Sequence, residues 1–146
     1  MKVTGECFCG NIRYEAEVEQ KLVAICHCTS CQRHSGSAFG VVVGVKNEAF
    51  NLVSGKLKSY EVTTDTGSIR SRTFCPDCGT RIYAKTLGEG MRFWGLRVGT
   101  IDQRAELVPT IQAWCRSAQS WAIIDSLPKF EKQPSDKEIE QIVSGQ

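Results

Sequence analysis

Seven of the eight cysteines in this chain fall in three short clusters: Cys7-Phe8-Cys9-Gly10, Cys26-His27-Cys28-Thr29-Ser30-Cys31 and Cys75-Pro76-Asp77-Cys78-Gly79. Thiolates grouped in turns are metal ligands of the kind zinc prefers, four to a closed structural site. The first and third clusters together supply those four sulfurs. Each pair sits in a tight turn that aims both sulfurs at one point, and the glycine that follows permits a positive φ there. Because 66 residues separate Cys9 from Cys75, one metal would tie the amino-terminal strand to the middle of the chain. The competing chemistry is two disulfides, but Cys7 and Cys9 lie too close along an extended segment to bridge comfortably. An iron centre is the other alternative.

The middle cluster is different in kind. Cys26, Cys28 and Cys31 give one metal three thiolates, and three protein ligands with an open fourth position make the catalytic pattern of zinc. His27, His34 or the remaining Cys115 could instead fold back and close the site. Three thiolates on Zn²⁺ leave a net −1, so such a centre polarises a carbonyl poorly. It can still hold an incoming thiol as the thiolate, because coordination deprotonates a thiol outright. Arg33, His27 and His34 lie beside the cysteines and could offset part of the charge, or be a solvated arginine and two loop histidines.

These clusters need strands to position them, and the intervening sequence reads as strands. Residues 11–18 place Ile12, Tyr14, Ala16 and Val18 on one side, the alternation of a half-buried strand. The β-branched run at 41–45 suits a buried strand. Residues 50–53 and 57–62 flank Ser54-Gly55-Lys56, which predicts a hairpin turn. Further strands are expected over 69–74, 81–84 and 92–98. Another is expected within 107–114, with Pro109 at its start or on an edge. One helix is expected near the end, where Ser135 and Glu138 fit a capping box ahead of Ile139, Ile142 and Val143. Short strands with glycine-rich connections and one short carboxy-terminal helix predict a mainly β fold. With no repeat, low-complexity tract or linker in 146 residues, a single zinc-binding domain of antiparallel strands spanning 1–146 is expected.

Composition excludes several classes. Eighteen Lys and Arg against sixteen Asp and Glu leave a formal +2, with an isoelectric point near 8.1. A general nucleic-acid binder is usually more basic than this. No apolar run reaches the ~18–20 residues of a membrane span. The first residues show no apolar signal-peptide core, so a cytoplasmic location is expected, where many cysteines point to metal or catalysis before disulfides.

Taken with their flanks (Gly5-Glu6 before Cys7, Phe74 before Cys75), the three clusters resemble the glutathione-dependent formaldehyde-activating enzyme family, which includes centromere protein V. Ser35-Gly36-Ser37-Ala38-Phe39 and Val98-Gly99-Thr100-Ile101-Asp102 agree more weakly, and the resemblance covers about residues 3–130. It implies a mainly β fold and two zinc ions. Cys7, Cys9, Cys75 and Cys78 are assigned to a structural zinc, and Cys26, Cys28 and Cys31 to a second zinc with a catalytic role. It implies carbon–sulfur lyase activity, in which glutathione and formaldehyde combine to S-hydroxymethylglutathione. The thiol would sit at the second zinc, and holding the two reactants together would contribute much of the rate. Where the family often carries histidine in a Pro-x-x-His stretch, this chain reads Pro109-Thr110-Ile111-Gln112, and Gln112 is neither acid nor base near neutral pH. Trp114 and Trp121, which follow, are read as core. Seven zinc-bound thiolates contribute −7 and two zinc ions +4, so the formal +2 would become −1 in the loaded protein.

Two other functions compete. A non-enzymatic zinc-binding β module would contact a macromolecule through Arg70, Arg72, Arg81 and Lys85, although the near-neutral balance favours a solvated face. The same residues could bind the two carboxylates of glutathione, the expected small-molecule thiol partner. A thiol redox enzyme would use Cys115 as nucleophile, but Ala113-Trp114-Cys115-Arg116 reads as a buried strand, and a buried thiol is normally inert. No nucleic-acid or membrane partner is expected.

Overall fold

The longest apolar alternation becomes β2 (Arg13–Cys26), and the rest of the sheet is assembled around it. Ile12, Tyr14, Ala16 and Val18 are buried, as their spacing predicts. The strand continues past that alternation to Cys26, because the stretch Leu22-Val23-Ala24-Ile25 is covered on both faces. A strand buried on both sides shows no polar–apolar alternation, so periodicity alone misses its second half. The computed structural model describes residues 1–64, 67–88 and 93–145.

One edge of β2 is taken along its length by β3 (Gly40–Ser54), from Arg13 opposite Ser54 to Cys26 opposite Gly40. The other edge is shared. β1 (Lys2–Glu6) runs antiparallel to residues 13–17, and a short strand, Ile111–Ala113, runs parallel to Ala24–Cys26. Beyond β3 come the antiparallel strands β4 (Lys58–Thr63), β5 (Ile69–Phe74), β6 (Arg81–Leu87) and β7 (Phe93–Arg97); Ile111–Ala113 is β8. The sheet order is β1-β2-β3-β7-β6-β5-β4, with β8 on β2. The expected strand over 92–98 is β7, with Arg92 outside the described residues.

Register sorts side chains onto two faces. Val23, Val43, Val45, Ile82 and Leu96 point into the main core with Tyr14 and Ile101. On the other face, Ala24, Val42, Gly44, Gly95 and Ala84 form a shallow floor across β2, β3, β7 and β6. α2 (Asp136–Ser144) crosses that face, burying Ile139 against Leu22 and Ile111. Its capping box is formed as predicted: Ser135 N–H donates to Glu138 Oε2 at 2.7 Å, and Glu138 N–H donates to Ser135 Oγ at 3.2 Å.

Four expectations are corrected. Ser54-Gly55-Lys56 closes no hairpin, because β3 pairs with β2 and β7 while β4 pairs with β5. The strand expected within 107–114 is only Ile111–Ala113, since a 3-10 turn at Arg104–Glu106 and Pro109 keep the preceding residues out of the ladder. Trp121 is not core but 77% exposed. Cys115 is half-buried in a 3-10 turn (Cys115–Ser117) rather than in a buried strand; its thiol donates to Gln112 O at 3.8 Å, and burial pushes its pKa up.

A helix, α1 (Thr29–Ser35), was not foreseen. It buries no residue, so it carries no apolar stripe, and its cap is a sulfur: Cys28 Sγ accepts from Cys31 N–H at 3.3 Å. Among the described residues no helix is long and apolar enough to cross a membrane. Ser135→Ala removes one half of the α2 capping box, and such caps contribute about 1 kcal/mol. The variant is expected to show faster amide exchange confined to α2, with little change elsewhere; equal acceleration in β2 and β3 would contradict this account of α2.

Candidate metal centres

The first centre is built from two turns. Gly10 N–H donates to Cys7 O at 3.1 Å and Gly79 N–H to Cys75 O at 2.8 Å, and both glycines take φ near +80° (80° and 78°), as the turn chemistry required. The turns are laced together by Asn11 Nδ2 donating to Asp77 Oδ2 at 3.0 Å and by Phe8 N–H donating to Thr80 Oγ1 at 3.1 Å. Cys7, Cys9, Cys75 and Cys78 thereby bring four sulfurs within 4.8 Å of one another. All eight cysteines are free thiols. With Zn–S near 2.3 Å, the sulfurs of a tetrahedral zinc site stand about 3.8 Å apart. Cys7 and Cys9 are separated by 3.5 Å, and Cys9 and Cys75 by 3.8 Å. The donor set therefore fits the metal. Cys7 and Cys75 face the core, while Cys9 and Cys78 are exposed.

The second cluster lies where β2 ends and α1 begins. Cys26 is the last residue of β2, between Gly40 of β3 and Ala113 of β8. Cys28 caps α1 and Cys31 lies in its first turn, which turns all three sulfurs to within 4.8 Å of one another. Neither His27, His34 nor Cys115 joins that group. Contacts with the Cys28 and Cys31 sulfurs, and then burial, raise the Cys26 thiol far above its usual range. Cys28 is held well below the usual range, first by Cys26 and Cys31 and also by backbone N–H groups of Cys31 and Ser30. Sulfurs this close share negative charge between them, and only a cation among them allows three full thiolates.

The loop between the ligating positions is clamped from behind. His27 is fully buried; its N–H donates to Ala113 O at 3.0 Å, and its carbonyl accepts from Gln32 Nε2 at 2.8 Å. Gln112, also fully buried, has its Nε2 occupied by Ile124 O at 2.7 Å, and its Oε1 accepts from Ile124 N–H at 2.9 Å. That oxygen is left to accept from His27 Nε2 at 3.1 Å, which fixes the orientation of the imidazole. His27 Nδ1 is buried with no partner among the described residues. Sequence reasoning marked Gln112 only as a departure from a family histidine and did not find this support role. A buried amide that holds one loop residue and one histidine leaves no periodic signal.

One cavity reaches this cluster, and a second adjoins the first through Arg97. The smaller, about 110 Å³, lies over the sheet floor beneath α2, with Cys26 and Cys31 at one end and Arg70 and Arg97 in its wall; among the described residues no carboxylate lines it. The larger, about 670 Å³, runs between the two cysteine clusters and is lined by Cys7, Phe8, His34, Gly40, Arg81, Arg97 and Arg104 among others. Arg97 belongs to both, and its Nη2 lies 4.0 Å from Cys31 Sγ. A Cβ at Gly40 would overlap Arg97 Nη1, so a larger residue there would displace the guanidinium from beside Cys31. The end of β7 is pinned by a relay in which Tyr14 OH donates to Thr100 Oγ1 at 2.7 Å and Thr100 Oγ1 donates to Arg97 O at 2.8 Å. Of the basic strip read from sequence, Arg70 and Arg72 face this side, whereas Lys85 lies over the Trp94 ring at 4.4 Å. Burial, then Arg72, Arg81 and Arg97, push His34 down to about 4. Arg97 and Gly40 were not singled out from sequence; a register is needed to place them beside Cys31.

Known proteins agree with this arrangement. The family model of the glutathione-dependent formaldehyde-activating enzyme matches residues 2–117. An uncharacterized lyase of Schizosaccharomyces pombe is 30% identical over 92 residues, which cover 61% of this chain and 62% of that protein, so the match spans under two thirds of the relative. A crystal structure of a Rhodobacter sphaeroides protein superposes with a TM-score of 0.57 at 18% identity, covering 89% of this chain and 99% of that one, a likeness of fold.

Gln112→Ala would strand His27 Nε2 and both backbone groups of Ile124. An unpartnered buried group costs about 1–3 kcal/mol, and the backbone groups of exposed Ile124 can turn to water instead, so a loss of about 1–3 kcal/mol is expected in urea denaturation of the zinc-loaded protein. A loss below about 1 kcal/mol would show that this amide supports nothing.

Proposed function

We propose that this chain, which belongs to the glutathione-dependent formaldehyde-activating enzyme family, is a zinc-dependent carbon–sulfur lyase that forms or splits S-hydroxymethylglutathione. The observation that carries this reading is the three-sulfur cluster, open to the cavity beneath α2 and flanked by Arg70 and Arg97. Cys7, Cys9, Cys75 and Cys78 would hold one zinc whose role is structural, closing the domain between its amino-terminal turn and the β5–β6 turn. Cys26, Cys28 and Cys31 would hold the second. Zinc bound there supplies the positive charge that keeps a further thiol ionised at neutral pH.

The chain's own residues would do the rest. Arg97 and Arg70 offset the excess negative charge of three cysteine thiolates and favour an anionic partner. The Gln112–His27 support and the α1 cap hold the sulfur triangle in place before substrate arrives. In the forward reaction the thiol sulfur forms a bond to the formaldehyde carbon, the carbonyl π pair moves to oxygen, and that oxygen gains the proton the thiol gave up. Bringing the two reactants together in a pocket sheltered by α2 converts a bimolecular encounter into a local one. Free thiols of this kind suit a reducing compartment such as the cytoplasm.

Exchange NMR of ¹³C-formaldehyde with glutathione tests the reading. The loaded protein should accelerate interconversion of free and adduct carbon, and Cys28→Ser should return it to the uncatalysed rate. The same variant should retain one zinc and a cooperative unfolding transition, whereas Cys78→Ser should lose that transition, because structural zinc contributes folding free energy directly. An unaccelerated exchange in protein holding two zinc ions would contradict the proposal.

A further inference from the structure

We infer that α2 is a hinged roof over the three-sulfur centre, latched by Ile139, and that it lifts to admit the body of a thiol substrate. The inference rests on the lyase reading of Cys26, Cys28 and Cys31 and adds how that centre is reached. The cavity that meets Cys26 and Cys31 measures about 110 Å³. Pockets for small organic ligands run to about 300–1,000 Å³, so with α2 docked this one takes a sulfur and little more.

The floor of the cavity cannot yield. It is made by Ala24 of β2, Val42 and Gly44 of β3, Gly95 of β7 and Ala84 of β6, and each of these strands is paired at both edges. Moving it would break ladder hydrogen bonds on two sides at once. The roof is different. It consists of Gln133, Pro134 and Ile139, of which Pro134 and Ile139 are buried.

Apolar contact is what holds that roof down. Among the described residues the last backbone bond from the body to the segment before α2 is Trp114 N–H donating to Lys132 O, at 3.2 Å. Past it, the hydrogen bonds of Ser135, Glu138, Ile139, Ser144 and Gly145 close within the segment itself. The capping box therefore travels with the helix and keeps it formed when it leaves the sheet. Ile139 is buried against Leu22 and Ile111, with Ile142 and Val143 packed beside it, in a cluster separate from the main core. Segments held by few buried apolar contacts open locally without global unfolding, and lids are drawn from them. Lys132 and Gln133, exposed and outside helix and strand, supply the hinge. The roof also lies beyond residues 2–117, the part of the chain that the family model matches.

Cobalt in place of zinc makes thiol binding visible, because the absorption bands of a cobalt–thiolate centre change when a further sulfur binds. Stopped-flow mixing of cobalt-loaded protein with hydrosulfide and with glutathione compares a probe that fits the docked cavity with one that does not. The hydrosulfide rate should rise linearly with concentration. The glutathione rate should level off at the opening rate of α2, as binding gated by a conformational step does. Ile139→Ala should raise that ceiling about tenfold, within the cost of truncating a buried isoleucine. Ile139→Leu should restore most of it, and Lys137→Ala, exposed on the same helix, should leave it unchanged. Loss of the ceiling in Ile139→Ala, with α2 amides exchanging freely, supports the roof as well. A glutathione rate linear in concentration in the unchanged protein overturns the roof and leaves the lyase reading intact. So does a ceiling shared by both thiols, or one raised by Arg70→Ala and not by Ile139→Ala. Gated glutathione binding in protein that does not accelerate formaldehyde exchange supports the roof and defeats the lyase reading. No spectral change with either thiol defeats both.

Discussion

Sulfur atoms held within 4.8 Å of one another cannot all carry charge without a cation among them, and this chain gathers seven that way, four in one group and three in another. The rest of the molecule is arranged around that demand. At the four-sulfur group the ligating turns come from before β2 and from between β5 and β6, segments distant in sequence that share no strand pairing. Backbone N–H groups and the Asn11–Asp77 and Phe8–Thr80 bonds shape the turns, but they do not neutralise the sulfurs. A structural zinc would contribute on the order of 10–16 kcal/mol of apparent binding free energy, comparable with the stability of a whole domain.

The three-sulfur group meets the same demand with fewer ligands and more outside help. The sheet ends β2 at Cys26, a helix capped by Cys28 returns Cys31, and Gln112 and Gln32 fasten the loop from behind. Positive charge arrives from the opposite side, through β5 and β7. This division lets the ligand loop be rigid while its open side faces the cavity beneath α2. On the proposed function, arginines near the sulfurs rather than overall charge would decide what binds, and the zinc-loaded protein would be close to neutral.

Legibility from sequence followed the length scale of each interaction. The cysteine clusters were readable because ligand spacing within a turn is local, and the strands were readable wherever one face is wet, as at residues 11–18. The second half of β2 was hidden by burial on both faces. α1 was hidden because its cap is a cysteine and it has no apolar stripe. The false hairpin at Ser54-Gly55-Lys56 shows the limit of turn chemistry: a glycine turn reverses or redirects the chain, and only partner choice decides which. Arg97, Gly40 and Gln112 act across sequence separations of 57 to 85 residues, from Gly40–Arg97 to His27–Gln112, and no local pattern announces them.

The account turns on one asymmetry: seven cysteines would serve two metals, so one centre would be complete and the other would accept a thiol. Zinc X-ray absorption of the loaded protein measures this directly. The mean sulfur coordination per zinc should be about 3.5 in the absence of substrate and rise to about 4 on addition of glutathione, with the light-atom shell shrinking in step. A mean of 4 before any thiol is added, or a mean of 3.5 that glutathione leaves unchanged, would contradict it.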